Sequence, residues 1–177
     1  AADDVTFAFA SATGTADAAT ISITSSTLQQ VVADAIETLT VNVSGATVTS
    51  MTSLDAAQAT SITIDNSTPT VGTAPGLTIT AVGDNTATSM TFTGAGTTTA
   101  TGALSTGLTT ITGSAATGAL DLNIATNTNN LTMTLGSGND RVEAGTVGTN
   151  LTADDTWDLG TGTNTLAIDD TSLTAGD

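Results

Sequence analysis

The stretch Asn130-Leu131-Thr132-Met133-Thr134-Leu135-Gly136-Ser137-Gly138-Asn139-Asp140-Arg141-Val142-Glu143 holds the two signals that decide the fold. In its first half Leu131, Met133 and Leu135 alternate with Thr, and period two marks a strand with one face buried. In its second half two glycines and an Asp interrupt the strand, and Val142 then restarts an apolar position. A tight turn feeding a second short strand is the simplest reading. The same alternation recurs in both directions along the chain: Val5, Phe7 and Phe9; Ile21 and Ile23; Leu39, Val41 and Val43; Ile62 and Ile64; Leu77 and Ile79; Met90 and Phe92; Leu120, Leu122 and Ile124; Trp157 and Leu159; Leu166 and Ile168. The residues between them are mostly Thr, Asn, Ser and Asp. Thr is β-branched and suits a pleated surface.

These strands are short, and their centres fall roughly 11 to 15 residues apart through much of 62–157. A β-sandwich also has closely spaced strands, and it is the alternative fold. A parallel β-solenoid with two or three strands per coil needs coils of about 20 to 30 residues. Three features favour the solenoid. Strands such as Thr60–Asp65, Thr88–Thr93 and Asn130–Leu135 resemble one another. The apolar residues are small to medium, as a narrow coil requires. Aromatics, which commonly fill a sandwich core, amount to Trp 1 and Phe 3. The inward set expected on this reading is Leu39, Val41, Ile62, Ile64, Leu77, Ile79, Met90, Phe92, Leu120, Leu122, Leu131, Met133 and Leu135.

One segment departs from period two. In Leu28-Gln29-Gln30-Val31-Val32-Ala33-Asp34-Ala35-Ile36 the apolar positions 28, 31, 32, 35 and 36 follow helical spacing, and Ser26 with Gln29 resembles a capping box. This predicts a short helix near 27–35. The chain thus divides into residues 1–35, with N-terminal strands and that helix, and residues 36–177, with solenoid coils. It reads as a fragment of a longer chain.

Composition excludes much chemistry. Lys+Arg 1 stands against Asp+Glu 17, a formal net charge of −16, and there is no His or Cys. Roughly a quarter of the residues are Thr, well above ordinary usage. Without His, Cys or Lys there is no catalytic triad, thiolate nucleophile, Schiff base or thiolate–imidazole zinc site. One Arg leaves no footprint for nucleic acid. No segment has the apolar length of a transmembrane helix, and an anionic membrane would repel the chain. A carboxylate and hydroxyl protein remains, suited to hard cations, to adhesion or scaffolding, or to two-carboxylate hydrolysis.

The turn at Gly136–Asp140 matches most of the nonapeptide G-G-x-G-x-D-x-U-x, with Leu135 in place of the first Gly. The glycines permit positive φ and turn carbonyl oxygens toward an ion, and Asp140 adds a carboxylate. A weaker copy follows 24 residues on, where Gly160, Gly162 and Asn164 occupy the places of Gly136, Gly138 and Asp140. Asp154, Asp155 and Asp158 lie between the two turns. Ca²⁺ accepts six to eight oxygens of this mixed kind. The expected metal site is therefore Ca²⁺ held by Gly136, Gly138, Asp140, Asp158, Gly160, Gly162 and Asn164; the bland alternative is a Gly-rich turn whose Asp140 caps the backbone.

With these patterns placed, the chain resembles the calcium-dependent bacterial surface-layer (S-layer) proteins with RTX-type repeats. Ile36-Glu37-Thr38-Leu39-Thr40-Val41 is similar to a recurrent strand of that family. Leu108-Thr109-Thr110-Ile111-Thr112-Gly113-Ser114, then Thr117-Gly118-Ala119-Leu120-Asp121-Leu122, resembles its rung, and the Gly136–Glu143 turn closes that rung. The resemblance covers most of 36–168. It implies a right-handed parallel β-helix outside a Gram-negative cell, type I secretion, and folding and lattice assembly driven by external Ca²⁺. The implied partners are copies of the chain itself and cell-surface polysaccharide bound through other regions, with no nucleic acid and no membrane insertion. One near-complete nonapeptide, rather than a tandem array, implies a looser β-helix than a regular calcium roll.

The expected function is a structural, non-catalytic S-layer subunit, and an RTX-type adhesin or secreted scaffold is the runner-up. A β-helix polysaccharide hydrolase would have to use Asp154, Asp155 and Asp158, or Asp169 and Asp170, with only Trp157 as a sugar platform. An ice-binding solenoid would need Thr-x-Thr pairs at a constant coil offset. The pairs at 78–80, 91–93, 132–134, 161–163 and 163–165 recur irregularly, which ranks that reading lower.

Overall fold

The structure, a computed structural model, describes residues 3–8, 14–47, 49–67, 76–83 and 86–169. Phe9 and Asp170 lie outside the described residues. Every regular element among them is a strand: β1 (Asp3–Thr6), β2 (Ala18–Thr24), β3 (Thr27–Val32), β4 (Thr38–Ser44), β5 (Thr49–Asp55), β6 (Ser61–Asn66), β7 (Leu77–Gly83), β8 (Ser89–Gly94), β9 (Thr98–Ala100), β10 (Thr110–Ala116), β11 (Leu120–Asn123), β12 (Thr132–Thr134), β13 (Arg141–Ala144), β14 (Thr156–Asp158) and β15 (Thr165–Ile168). No helix among the described residues is long and apolar enough to cross a membrane.

The odd-numbered strands form one 8-stranded sheet and the even-numbered strands one 7-stranded sheet, each in chain order. All the pairings between these strands are parallel. Each coil therefore lays one strand in the odd sheet, crosses over, and lays the next in the even sheet. This is a parallel β-solenoid, and the antiparallel connections of a sandwich are not present among the described strands. Coil length varies from the 20 residues between Asp121 and Arg141 to the 28 between Ser61 and Ser89. Most of the variation is taken up outside the strands; within them side-chain register holds from coil to coil, except that it shifts at Asp3/Asp4 in the β1–β3 pair and between Thr112 and Ala115 in the β8–β10 pair.

That register builds the core. In the even sheet Leu39, Ile62, Met90, Ile111, Met133 and Trp157 lie one above the other, beside a second column of Ile21, Val41, Ile64 and Phe92. All the residues expected to point inward are buried. Fully burying one Leu or Ile contributes about 1.5–3 kcal/mol, so stacked columns hold a chain with few aromatics. Trp157 is partly buried against this core.

The same register aligns the outward residues. Thr20, Thr40, Thr63, Thr91, Thr112 and Thr134 form one column on the even sheet, followed by Asp158. Two residues earlier runs a parallel column of Thr38, Ser61, Ser89, Thr110, Thr132 and Thr156. The irregular sequence offsets thus hide a regular grid.

The helix expected at 27–35 is a correction. Residues 27–32 form β3, paired with β1 and β5. The helix-like spacing of Leu28 and Val31 recurs in successive odd-sheet strands. Met51 and Leu54, then Ile79 and Val82, are likewise three apart, all four are buried, and each pair stacks on the one before. After β3 the chain turns at Ala35, which has φ 62, and Ile36 is buried. Residues 27–35 thus belong to the same stack as the coils that follow.

Candidate functional site: the glycine–aspartate turn

The turn Gly136-Ser137-Gly138-Asn139-Asp140 joins β12 to β13 and sits directly on Ala116-Thr117-Gly118-Ala119-Leu120 of the preceding coil. Gly160-Thr161-Gly162-Thr163-Asn164 sits on it from the other side, and Gly94-Ala95-Gly96-Thr97-Thr98 lies one coil further back. The sequence reading found two of these four turns; the G-x-G spacing at Gly94 and Gly96 was the available signal for a third. Stacked turns explain the glycines. A Cβ on Gly138 would lie 2.6 Å from the Gly118 carbonyl oxygen and 2.7 Å from the Ala119 Cα. Gly118 meets Gly96 in the same way, and Gly162 meets Gly138. Positive φ, expected throughout the turn, occurs at Gly160 (φ 69) and Gly162 (φ 112) but not at Gly136 or Gly138. At those two positions close backbone approach is what demands glycine.

Asp140 closes the turn. It follows Leu120 in an inward column of the odd sheet and is 2 % exposed. Its Oδ1 accepts the Leu120 N–H at 2.8 Å, and its own N–H donates to Asn164 Oδ1 at 2.9 Å. The two residues thus repeat one device at adjacent coils: an Asx side chain caps the backbone N–H of the coil before it. Asn164 Nδ2 donates to the carbonyls of Leu159 (2.7 Å) and Gly160 (3.3 Å). Asp140 has no such donor, and its Oδ2 is buried without a hydrogen-bond partner. Burial raises the Asp140 carboxyl above its ordinary 3.8, and the Leu120 N–H pulls the other way.

The other expected ligands are placed differently. Asp158 is exposed and accepts the Gly160 N–H at 2.9 Å. Asp155 accepts the Leu131 N–H at 2.6 Å across a coil, and its second oxygen accepts the Thr152 N–H at 2.7 Å. The Gly136 carbonyl accepts the Thr161 N–H. Among the described residues no three acidic side chains gather where one ion would touch them all. A calcium ion needs six to eight oxygens, so carbonyls of the glycine turns would have to supply most of them here. Asp140 Oδ1, Asp158 Oδ1 and the Gly136 carbonyl each accept a backbone N–H, and the buried Asp140 Oδ2 has no hydrogen-bond partner.

The Asx staples extend past the turn, and sequence reasoning missed them. Asn127 is buried, and its Nδ2 donates to the Leu108 carbonyl at 2.8 Å across a coil. Asn66, also buried, reaches the Thr97 carbonyl at 2.9 Å. Thr60, Thr88 and Thr109 each donate a hydroxyl to a carbonyl of the coil before. Arg141 bridges Asp121 and Glu143, each at 3.1 Å, as a half-exposed cluster worth about 1 kcal/mol or less per pair. Comparison of the chain with protein-family models, curated proteins and solved structures returns no match.

Proposed function

We propose that this chain is a structural, non-catalytic scaffold that associates with copies of itself at the surface of a Gram-negative cell, as part of an S-layer lattice. The observation that carries this reading is the use of its polar side chains. Asn66, Asn127, Asp140, Asp155 and Asn164 reach from one coil to the backbone of the next, which stiffens a rod. Of the carboxylates that a hydrolase would need, Asp155 belongs to that set and is held by two backbone N–H groups. The S-layer and RTX assignment, export and calcium dependence come from the sequence resemblance. Calcium enters as a solution variable: 17 acidic residues against 1 basic give a divalent cation a general reason to favour association of like-charged copies.

The test is assembly itself. The purified chain is followed by sedimentation velocity and negative-stain microscopy, with millimolar calcium and with a chelator. Ordered sheets or rods that form in calcium are the expected result. A chain that stays monomeric in both and cleaves a glycan, with cleavage abolished by Asp155→Ala or Asp158→Ala, overturns the reading.

A further inference from the structure

We infer that the outward face of the even sheet is the surface through which two copies of this chain meet, grid against grid; this rests on the self-association reading above and names the surface it uses. The face is set by register. Thr40, Thr63, Thr91, Thr112 and Thr134 stack without interruption, and every position of the neighbouring column from β4 to β14 is Thr or Ser. The odd sheet provides an internal comparison. Its outward column runs Thr27, Ser50, Thr78 and Thr99, is interrupted by Asp121 and Arg141, and ends at Thr165. Hydroxyl residues are therefore not the automatic content of an outward column in this chain.

Two physical features point to a second copy as the occupant. The first is charge. The chain carries −16, so copies repel one another except where a face is neutral. On the even sheet the acidic residues are Asp65, at the edge of the grid along its strand, and Asp158, on the terminal strand. The second is periodicity. The hydroxyls of the Thr40–Thr134 column make no hydrogen bond to the protein, so they are available outward along the whole length. A second copy has the same coil spacing by construction, so its columns stay in step with these from end to end. β8 is the central strand of the sheet, and a two-fold axis through it sets Thr91 against Thr91 of the partner, a self-complementary arrangement. Seven strands about 4.8 Å apart, read over about five residues of roughly 3.3 Å each, give a face on the order of 500 Å² per copy. Both sides together reach about 1,000 Å², the lower limit for a specific contact. Without aromatic anchors the contact is weak and matters when repeated in an assembly.

The experiment uses the full chain, its dissociation constant measured by sedimentation velocity, and folding of every variant checked by circular dichroism and thermal melting. Thr91→Glu with Thr112→Glu places like charges at the centre of both faces and is expected to weaken association about tenfold or more. Thr78→Glu with Thr99→Glu, the matched pair on the odd sheet, adds the same net charge and is expected to change it less than about twofold. Thr91→Lys with Thr112→Lys also weakens association alone, and mixing it with the Glu pair restores it, because the two faces then attract. If the unmutated chain associates and the even-sheet Glu pair matches the odd-sheet pair, the surface is wrong while self-association stands. If the unmutated chain is monomeric throughout, both readings fall. A monomer whose grid instead adsorbs to ice or to a crystalline glycan, and loses adsorption in the Thr91 and Thr112 variants, likewise overturns this inference.

Discussion

Asp140 and Gly138 show at the level of single residues how the turn works. Asp140 differs from Asn164, its counterpart one coil on, by an amide, and that amide finds two carbonyls while Asp140 Oδ2 finds none. Asp140→Asn is therefore expected to raise stability at neutral pH by about 1–2 kcal/mol, by supplying a donor and removing a desolvated charge. The folded-state pKa of Asp140 is raised, so its contribution to stability is fully present below the ordinary 3.8 and is lost as pH rises through the folded value. The advantage of the Asn variant should accordingly be small in acid and widen as pH rises through the raised folded-state value. Thermal melts of both proteins across pH check this, run in calcium and again in chelator. A variant that loses stability only when calcium is present would instead identify Asp140 as a ligand. Gly138→Ala has the opposite expected sign: its Cβ meets the backbone of Gly118 and Ala119, which cannot swing away, at a cost of about 1–3 kcal/mol read from denaturant unfolding.

At the level of the element, β3 separates two readings of one pattern. In a helix, Val31 and Val32 would both help form an apolar stripe. In the strand, Val31 is fully buried while Val32 is half-buried. Val31→Ala should cost about 1.5–3 kcal/mol and Val32→Ala clearly less, compared by chemical denaturation. Equal costs would restore the helix. The misleading i, i+3 spacing was readable only against its neighbours, since Met51 and Leu54, and then Ile79 and Val82, repeat it where no helix forms. The central even-sheet strand is the sterner test of packing. Met90 lies between Ile62 and Ile111 in a filled column, and Met90→Ala is expected to cost about 2–5 kcal/mol because the neighbouring coils cannot collapse into the gap.

For the whole molecule the dominant opposing force is its own charge. Seventeen acidic residues against one Arg repel one another in the compact state. Raising monovalent salt from about 0.01 M to 1 M shortens the screening length from about 30 Å to about 3 Å. The melting temperature should climb over that range without any divalent ion, as scanning calorimetry reads. A flat response would mean that the charges already lie too far apart to matter. The solenoid also makes stability a sum over neighbouring coils, so the damage from each substitution above should stay greatest near its own coil, as hydrogen exchange resolves.

The parallel solenoid and its thirteen inward residues were legible in the sequence, because period two is a local property that any buried strand face imposes. The strand-to-strand register was not. Coils of 20 to 28 residues conceal it, since most of the extra length goes into the connections, and only the stacked backbone shows that Thr40, Thr63, Thr91, Thr112 and Thr134 share one column. The turn divides in the same way. Its glycines and its Asp were visible as a motif. Whether Asp140 faces an ion or the Leu120 N–H depends on the coil 20 residues before it, and the tertiary structure places that N–H within hydrogen-bonding distance.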